Sequence, residues 1–109
     1  MGVGAGASNV YSTLFLPARG ANNTFVGFNA GFTNTIGSDN TAIGAWSLNA
    51  NKTGVSNTVV GSFSLASNEE GNYNVAVGTT ALSSNEGSNN IAVGSEVGVE
   101  KIAATHFFS

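Results

Sequence analysis

A five-residue phrase returns along this chain at an almost constant interval. Asn23-Thr-Phe-Val-Gly27 recurs as Asn40-Thr-Ala-Ile-Gly44, Asn57-Thr-Val-Val-Gly61, Asn74-Val-Ala-Val-Gly78 and Asn90-Ile-Ala-Val-Gly94. The first asparagines are 17, 17, 17 and 16 residues apart. A second phrase lies inside each unit: Asn34-x-x-Gly37, Asn51-x-x-Gly54, Asn68-x-x-Gly71, then a shortened Asn85-x-Gly87 that accounts for the interval of 16. The ninth position is Gly31, then Leu48, Leu65 and Leu82. Such strict register means that each unit is one rung, too small to fold alone, that must stack on its neighbours.

Seventeen residues are too few for a helical-hairpin repeat, which needs more than about 30. The Thr-x-Val segment alternates with the two-residue period of a strand. The Ser-Leu region is expected to form a second short strand. Asn-x-x-Gly reads as a turn, because Asn and Gly tolerate positive φ. Two short strands and two turns make one coil of a β-solenoid. Stacked coils place equivalent residues about 4.8 Å apart, so each repeated position becomes a ladder. Val26, Ile43, Val60, Val77 and Val93 form an aliphatic ladder, and Leu48, Leu65 and Leu82 another. Asn23, Asn40, Asn57, Asn74 and Asn90 are placed to hydrogen-bond along the stack. The turn glycines are Gly37, Gly54, Gly71 and Gly87. Shifting back one period puts Leu14 in the leucine position and Gly20 in the turn-glycine position. The organisation expected is therefore an N-terminal end with a degenerate first coil (1–22), solenoid repeats (23–94), and a cap or the start of another element (95–109).

Composition fits ladders better than an ordinary core. Only 8% of residues are charged, against 15 Gly, 15 Asn, 13 Ser and 10 Thr among 109. Arg19, Lys52 and Lys101 are isolated, so no basic patch suits nucleic acid. No apolar run approaches the roughly 20 residues of a membrane helix, so membrane insertion by this segment is not expected. No charged leader followed by an apolar run marks a secretion signal, which places any such signal outside this chain. Cysteine is absent, which excludes a disulfide framework and thiol chemistry.

With these residues in view, the repeats resemble the YadA-type head repeats of trimeric autotransporter adhesins, whose core reads N-S-V-A-I-G. They are also similar to related repeats in trimeric bacterial-surface and phage tail fibres. The resemblance spans about residues 23–98. It implies an all-β fold, a left-handed parallel β-roll of 16–17-residue coils, assembled as a side-by-side homotrimer. It further implies an extracellular place on a bacterial surface or virion fibre, with adhesion to a host or prey cell-surface glycan or protein. The unit here is three residues longer than the adhesin repeat, and neither a coiled-coil stalk nor a membrane anchor is expected within this segment. The residues themselves also favour association. If the Thr/Val/Ile face fills the roll, the opposite face still carries Phe25, Ala42, Val59, Ala76 and Ala92. The sequence leaves open which face points inward.

Trp46 and Phe63 share the seventh position of successive coils and should stack; with Tyr73 they are the candidate binding residues, the competing role being packing between subunits. Phe25, Phe28 and Phe32 are expected to seal the N-terminal end of the stack. Glu69, Glu70 and Glu86 fall at turns beside Lys52 and read as solvated charge. The calcium-binding G-G-x-G-x-D repeat is missing, so neither a metal nor another cofactor is expected. His106 is the only histidine, and no G-x-S-x-G nucleophile elbow occurs. Gly2-Val-Gly-Ala-Gly6 lacks the preceding strand of a dinucleotide loop. Catalytic residues are therefore not expected, and the chain reads as a non-enzyme. Three functions compete: an adhesive fibre head or tip, a passive spacer in such a fibre, and, more remotely, an ice-binding solenoid. The last needs unbroken Thr ranks, which Val75 and Ile91 interrupt.

Overall fold

The computed structural model describes residues 3–7 and 20–98, together with the backbone of 106–108. Six three-residue strands follow one another: β1 (Thr24–Val26), β2 (Thr41–Ile43), β3 (Thr58–Val60), β4 (Val75–Val77), β5 (Ile91–Val93) and β6 (His106–Phe108). They pair in parallel in chain order, and the described residues contain no helix. Register follows the repeat: Thr24 pairs with Thr41, Thr41 with Thr58, Thr58 with Val75, and Val75 with Ile91. Each connection returns the chain to the start of the next strand, so the fold is a parallel β-solenoid.

Each coil holds one strand rather than the two expected. The Ser-Leu region is a run of turns, because Trp46 (φ 63°) and Leu48 (φ 50°) are left-handed and break the extended path. It still bonds along the stack. The Leu48 N–H donates to the Ser64 carbonyl at 3.0 Å, and the Leu65 N–H to Ala81 at 2.9 Å. These bonds satisfy the backbone of a segment that would otherwise be buried without partners.

The middle residue of each strand faces inward. Phe25, Ala42, Val59, Ala76 and Ala92 are buried in one cluster with Leu48, Leu65 and Leu82. The flanking Thr/Val/Ile positions are therefore on the outside, although they are the more apolar pair. The cause is volume. The interior takes one large side chain per coil, and the leucine supplies it, which leaves room for only Ala or Val on the strand. Burying a leucine contributes about 1.5–3 kcal/mol. The first coil exchanges the two roles. Phe25 fills the interior there, and a Cβ added to Gly31 would lie 2.6 Å from its ring.

The glycines of Asn-x-x-Gly do not serve the purpose expected of them. Gly37, Gly54 and Gly71 lack positive φ. They are glycines because the coils approach closely: a Cβ on Gly54 would collide with Asn51 Oδ1 and the Gly71 carbonyl oxygen. Left-handed backbone sits elsewhere, at the fifth, seventh, ninth and last positions of each unit, and 13 non-glycine residues adopt it among the described residues.

The stacking extends to both ends of the repeats. The Gly6 N–H donates to the Ala30 carbonyl at 2.8 Å and the Asn29 N–H to Val3 at 2.7 Å. Gly6 (φ 63°) thus occupies the leucine position ahead of Gly31. The expected occupant, Leu14, lies outside the described residues. At the other end β6 pairs with β5, Phe107 aligning with Ala92, so a further rung lies within 95–109, the segment expected to be a cap or the start of another element.

Candidate functional site

Two asparagine ladders run through the interior. Asn40, Asn57, Asn74 and Asn90 are fully buried. Asn57 Nδ2 donates to Asn40 Oδ1 at 3.1 Å, and Asn74 Nδ2 to Asn57 Oδ1 at 3.0 Å. The backbone N–H of each donates to the same oxygen, for Asn57 at 2.9 Å and for Asn74 at 3.0 Å. Each amide also reaches the next turn: Asn23 donates to the Gly37 carbonyl at 2.8 Å, Asn40 to Gly54 at 2.8 Å, and Asn57 to Gly71 at 2.9 Å. The second ladder consists of the turn asparagines Asn34, Asn51, Asn68 and Asn85, which sequence reasoning treated only as turn formers. They too are fully buried. Asn51 Nδ2 donates to Asn34 Oδ1 at 2.7 Å, and Asn68 Nδ2 to Asn51 Oδ1 at 2.9 Å. The low charge content follows from this interior: paired amides and backbone bonds supply the cohesion between coils.

Trp46 and Phe63 stack, with ring centroids 6.1 Å apart and planes 6° from parallel. Phe28 meets Trp46 edge-on at 5.8 Å. These three rings form a ridge along the stack, exposed by 48% at Phe28, 36% at Trp46 and 47% at Phe63. Phe28 and Phe32 therefore do not seal the end of the solenoid; of the three N-terminal phenylalanines only Phe25 lies inside. Sequence reasoning missed the part Phe28 plays in the ridge, because it occupies the sixth position and not the seventh; its adjacency to the aromatic position was the available signal. Tyr73 is 58% exposed and makes no ring contact among the described residues. It occupies the last position of its coil, on the other side of the strand segment from the ridge.

All three candidate aromatics have left-handed backbone: φ is 63° at Trp46 and 60° at both Phe63 and Tyr73. This conformation costs an ordinary L-residue roughly 1–2 kcal/mol, and only Gly, Asn and Asp visit it readily. The left-handed leucines, Leu48, Leu65 and Leu82, offset that cost by complete burial. The three aromatics are only partly covered, with exposures of 36% at Trp46, 47% at Phe63 and 58% at Tyr73. The fold itself accepts other residues at the seventh position, where Asn29 and Thr80 adopt the same φ.

The outward side of the sheet carries two parallel columns. Thr24, Thr41, Thr58, Val75 and Ile91 form one. Val26, Ile43, Val60, Val77 and Val93 form the other, with exposures of 38% at Val26 and Val60 and 41% at Ile43 and Val93. Neither column contains a charged residue.

Charge gathers at the turns. Glu69, Glu70 and Glu86 line an open cavity of about 230 Å³. Lys52 Nζ lies 3.5 Å from Glu69 Oε1, both side chains being half exposed, an arrangement worth at most about 1 kcal/mol. The backbone of His106 lies in β6; Arg19 and Lys101 lie outside the described residues. No protein-family model matches the chain, and comparison with curated proteins and with solved structures gives no significant match.

Proposed function

We propose that this chain is a segment of an extracellular homotrimeric fibre that acts in adhesion, with three left-handed rolls packed side by side through the outward faces of their sheets. The observation that carries the reading is that face. It presents an uninterrupted aliphatic column, about two-fifths exposed at Val26, Ile43, Val60 and Val93, beside a second uncharged column. Isolated soluble chains rarely leave contiguous apolar surface of this kind uncovered. Parallel packing of identical copies would bring like rungs together and remove both columns from water. The mechanism is geometric: a rigid three-sided prism repeats each surface group three times, and weak contacts to a cell surface multiply through avidity.

Light scattering after gel filtration tests the assembly. The expected mass is three times 10.9 kDa, and a clean monomer overturns the reading. Val60→Asp, which puts a charge in the middle of the aliphatic column, should dissociate the trimer. Adhesion itself is tested by binding of the fluorescently labelled trimer to bacterial and eukaryotic cells. A trimer that binds neither leaves the chain a spacer.

A further inference from the structure

We propose that the ridge of Phe28, Trp46 and Phe63 is a stacking platform for a neutral saccharide. The inference deepens the adhesive reading above and rests on it. Three features of the ridge carry it. First, Trp46 and Phe63 occupy left-handed corners that the fold fills without aromatics elsewhere, and they remain 36% and 47% exposed. An exposed backbone outlier with a bulky side chain points to a use outside the fold. Second, the ring contacts at 5.8 and 6.1 Å join the three side chains into one aromatic strip along the stack. Third, the surroundings are uncharged. Residues 28–33, 45–50 and 62–67, which make up this side of the first three coils, contain no Asp, Glu, Lys or Arg.

That chemistry selects its ligand. Phosphates and sulfates require cations, which this side lacks. A pyranose offers a face of C–H groups, which the negative face of an aromatic ring attracts, and a rim of hydroxyls.

Trp46 is the only tryptophan, so its fluorescence reports on the ridge. The full chain is screened on an array of neutral and sialylated glycans, and the neutral oligosaccharides that bind are titrated against the fluorescence of Trp46. Saturable binding of neutral glycans is expected, with no preference for sialylated ones. Phe63→Asn, followed by fluorescence, and Trp46→Asn, followed on the array, should each weaken binding at least tenfold. Neither should lower the melting temperature, because asparagine suits a left-handed corner. If these variants instead melt earlier or lose the trimer, the ridge is a subunit contact and the proposal fails. It fails equally if no neutral glycan binds. The monomeric Val60→Asp variant separates this outcome from the assembly: it should keep the fluorescence response and lose only array avidity. A wild-type chain that is monomeric yet responds would overturn the trimer and leave the platform standing.

Discussion

The two asparagine ladders have the same chemistry and the same burial, yet only one survives the shortened fourth coil. The strand ladder passes through it intact: Asn90 Nδ2 donates to Asn74 Oδ1 at 3.2 Å, and its backbone N–H to the same oxygen at 2.9 Å. The turn ladder stops. Asn85 Nδ2 donates to the Gly87 carbonyl at 2.9 Å, but it does not reach back to Asn68. Asn68 Oδ1 is left buried with no partner. Position explains the difference. The strand asparagines precede residues whose register is fixed by the sheet, whereas the turn asparagines depend on a constant loop length. The solenoid absorbs a one-residue deletion in the loop, and the defect appears as one orphaned carbonyl.

The strand ladder should be the harder to lose. Asn57→Leu removes two donated bonds and deprives the Asn74 amide and backbone N–H of their acceptor. Buried groups left unsatisfied cost about 1–3 kcal/mol each, so a loss of about 4 kcal/mol is expected in chemical denaturation at fixed protein concentration. A loss no larger than that of Thr79→Ala, an exposed control, would refute the ladder as a source of cohesion.

Next in size is a comparison within the turn ladder. Asn51 bonds in both directions and to the Gly54 carbonyl. Asn68 bonds only toward Asn51 and to Gly71. Asn51→Ala should therefore cost about 2–3 kcal/mol and Asn68→Ala about 1 kcal/mol. Equal losses would mean that the orphaned oxygen matters little.

How much of this was legible beforehand depends on the kind of residue. The position of each strand was readable because Asn and Gly bracket three residues at a fixed interval. The common position of Trp46 and Phe63 was readable for the same reason. The inward face was not. Hydrophobicity points to Thr/Val/Ile inside, and the choice turns on interior width, which Leu48, Leu65 and Leu82 set from across the coil. The left-handed corners at Trp46, Leu48, Phe63 and Tyr73 were hidden because these residue types rarely adopt them. The burial of Asn51 and Asn68 was hidden because a turn asparagine ordinarily faces water.

Repairing the deletion is the converse experiment. A serine inserted after Glu86 restores the 17-residue interval and the loop length that lets Asn85 donate to Asn68 Oδ1. The expected gain is about 1 kcal/mol, read as a rise in melting temperature of about 4–8 °C for a domain of this size. An insertion into a native loop is ordinarily neutral or harmful. A fall in melting temperature would show that the short loop is relaxed around its own geometry and that the orphan has another cause.

The smallest effect belongs to Lys52, which sits between the ladder residue Asn51 and Gly54. Its carbonyl is the most heavily used acceptor of the turn, receiving the N–H groups of Thr35, Ile36 and Gly37 at 3.0–3.2 Å. Its side chain only pairs with Glu69 in solvent at 3.5 Å. If backbone register and buried amides hold the coils together, Lys52→Ala should change stability by no more than about 1 kcal/mol, the upper end for an exposed ion pair. The change should be no larger at low salt than the screening of one such pair allows. A loss comparable to that of Asn51→Ala would place the surface charges, rather than the ladders, at the centre of the turn's stability.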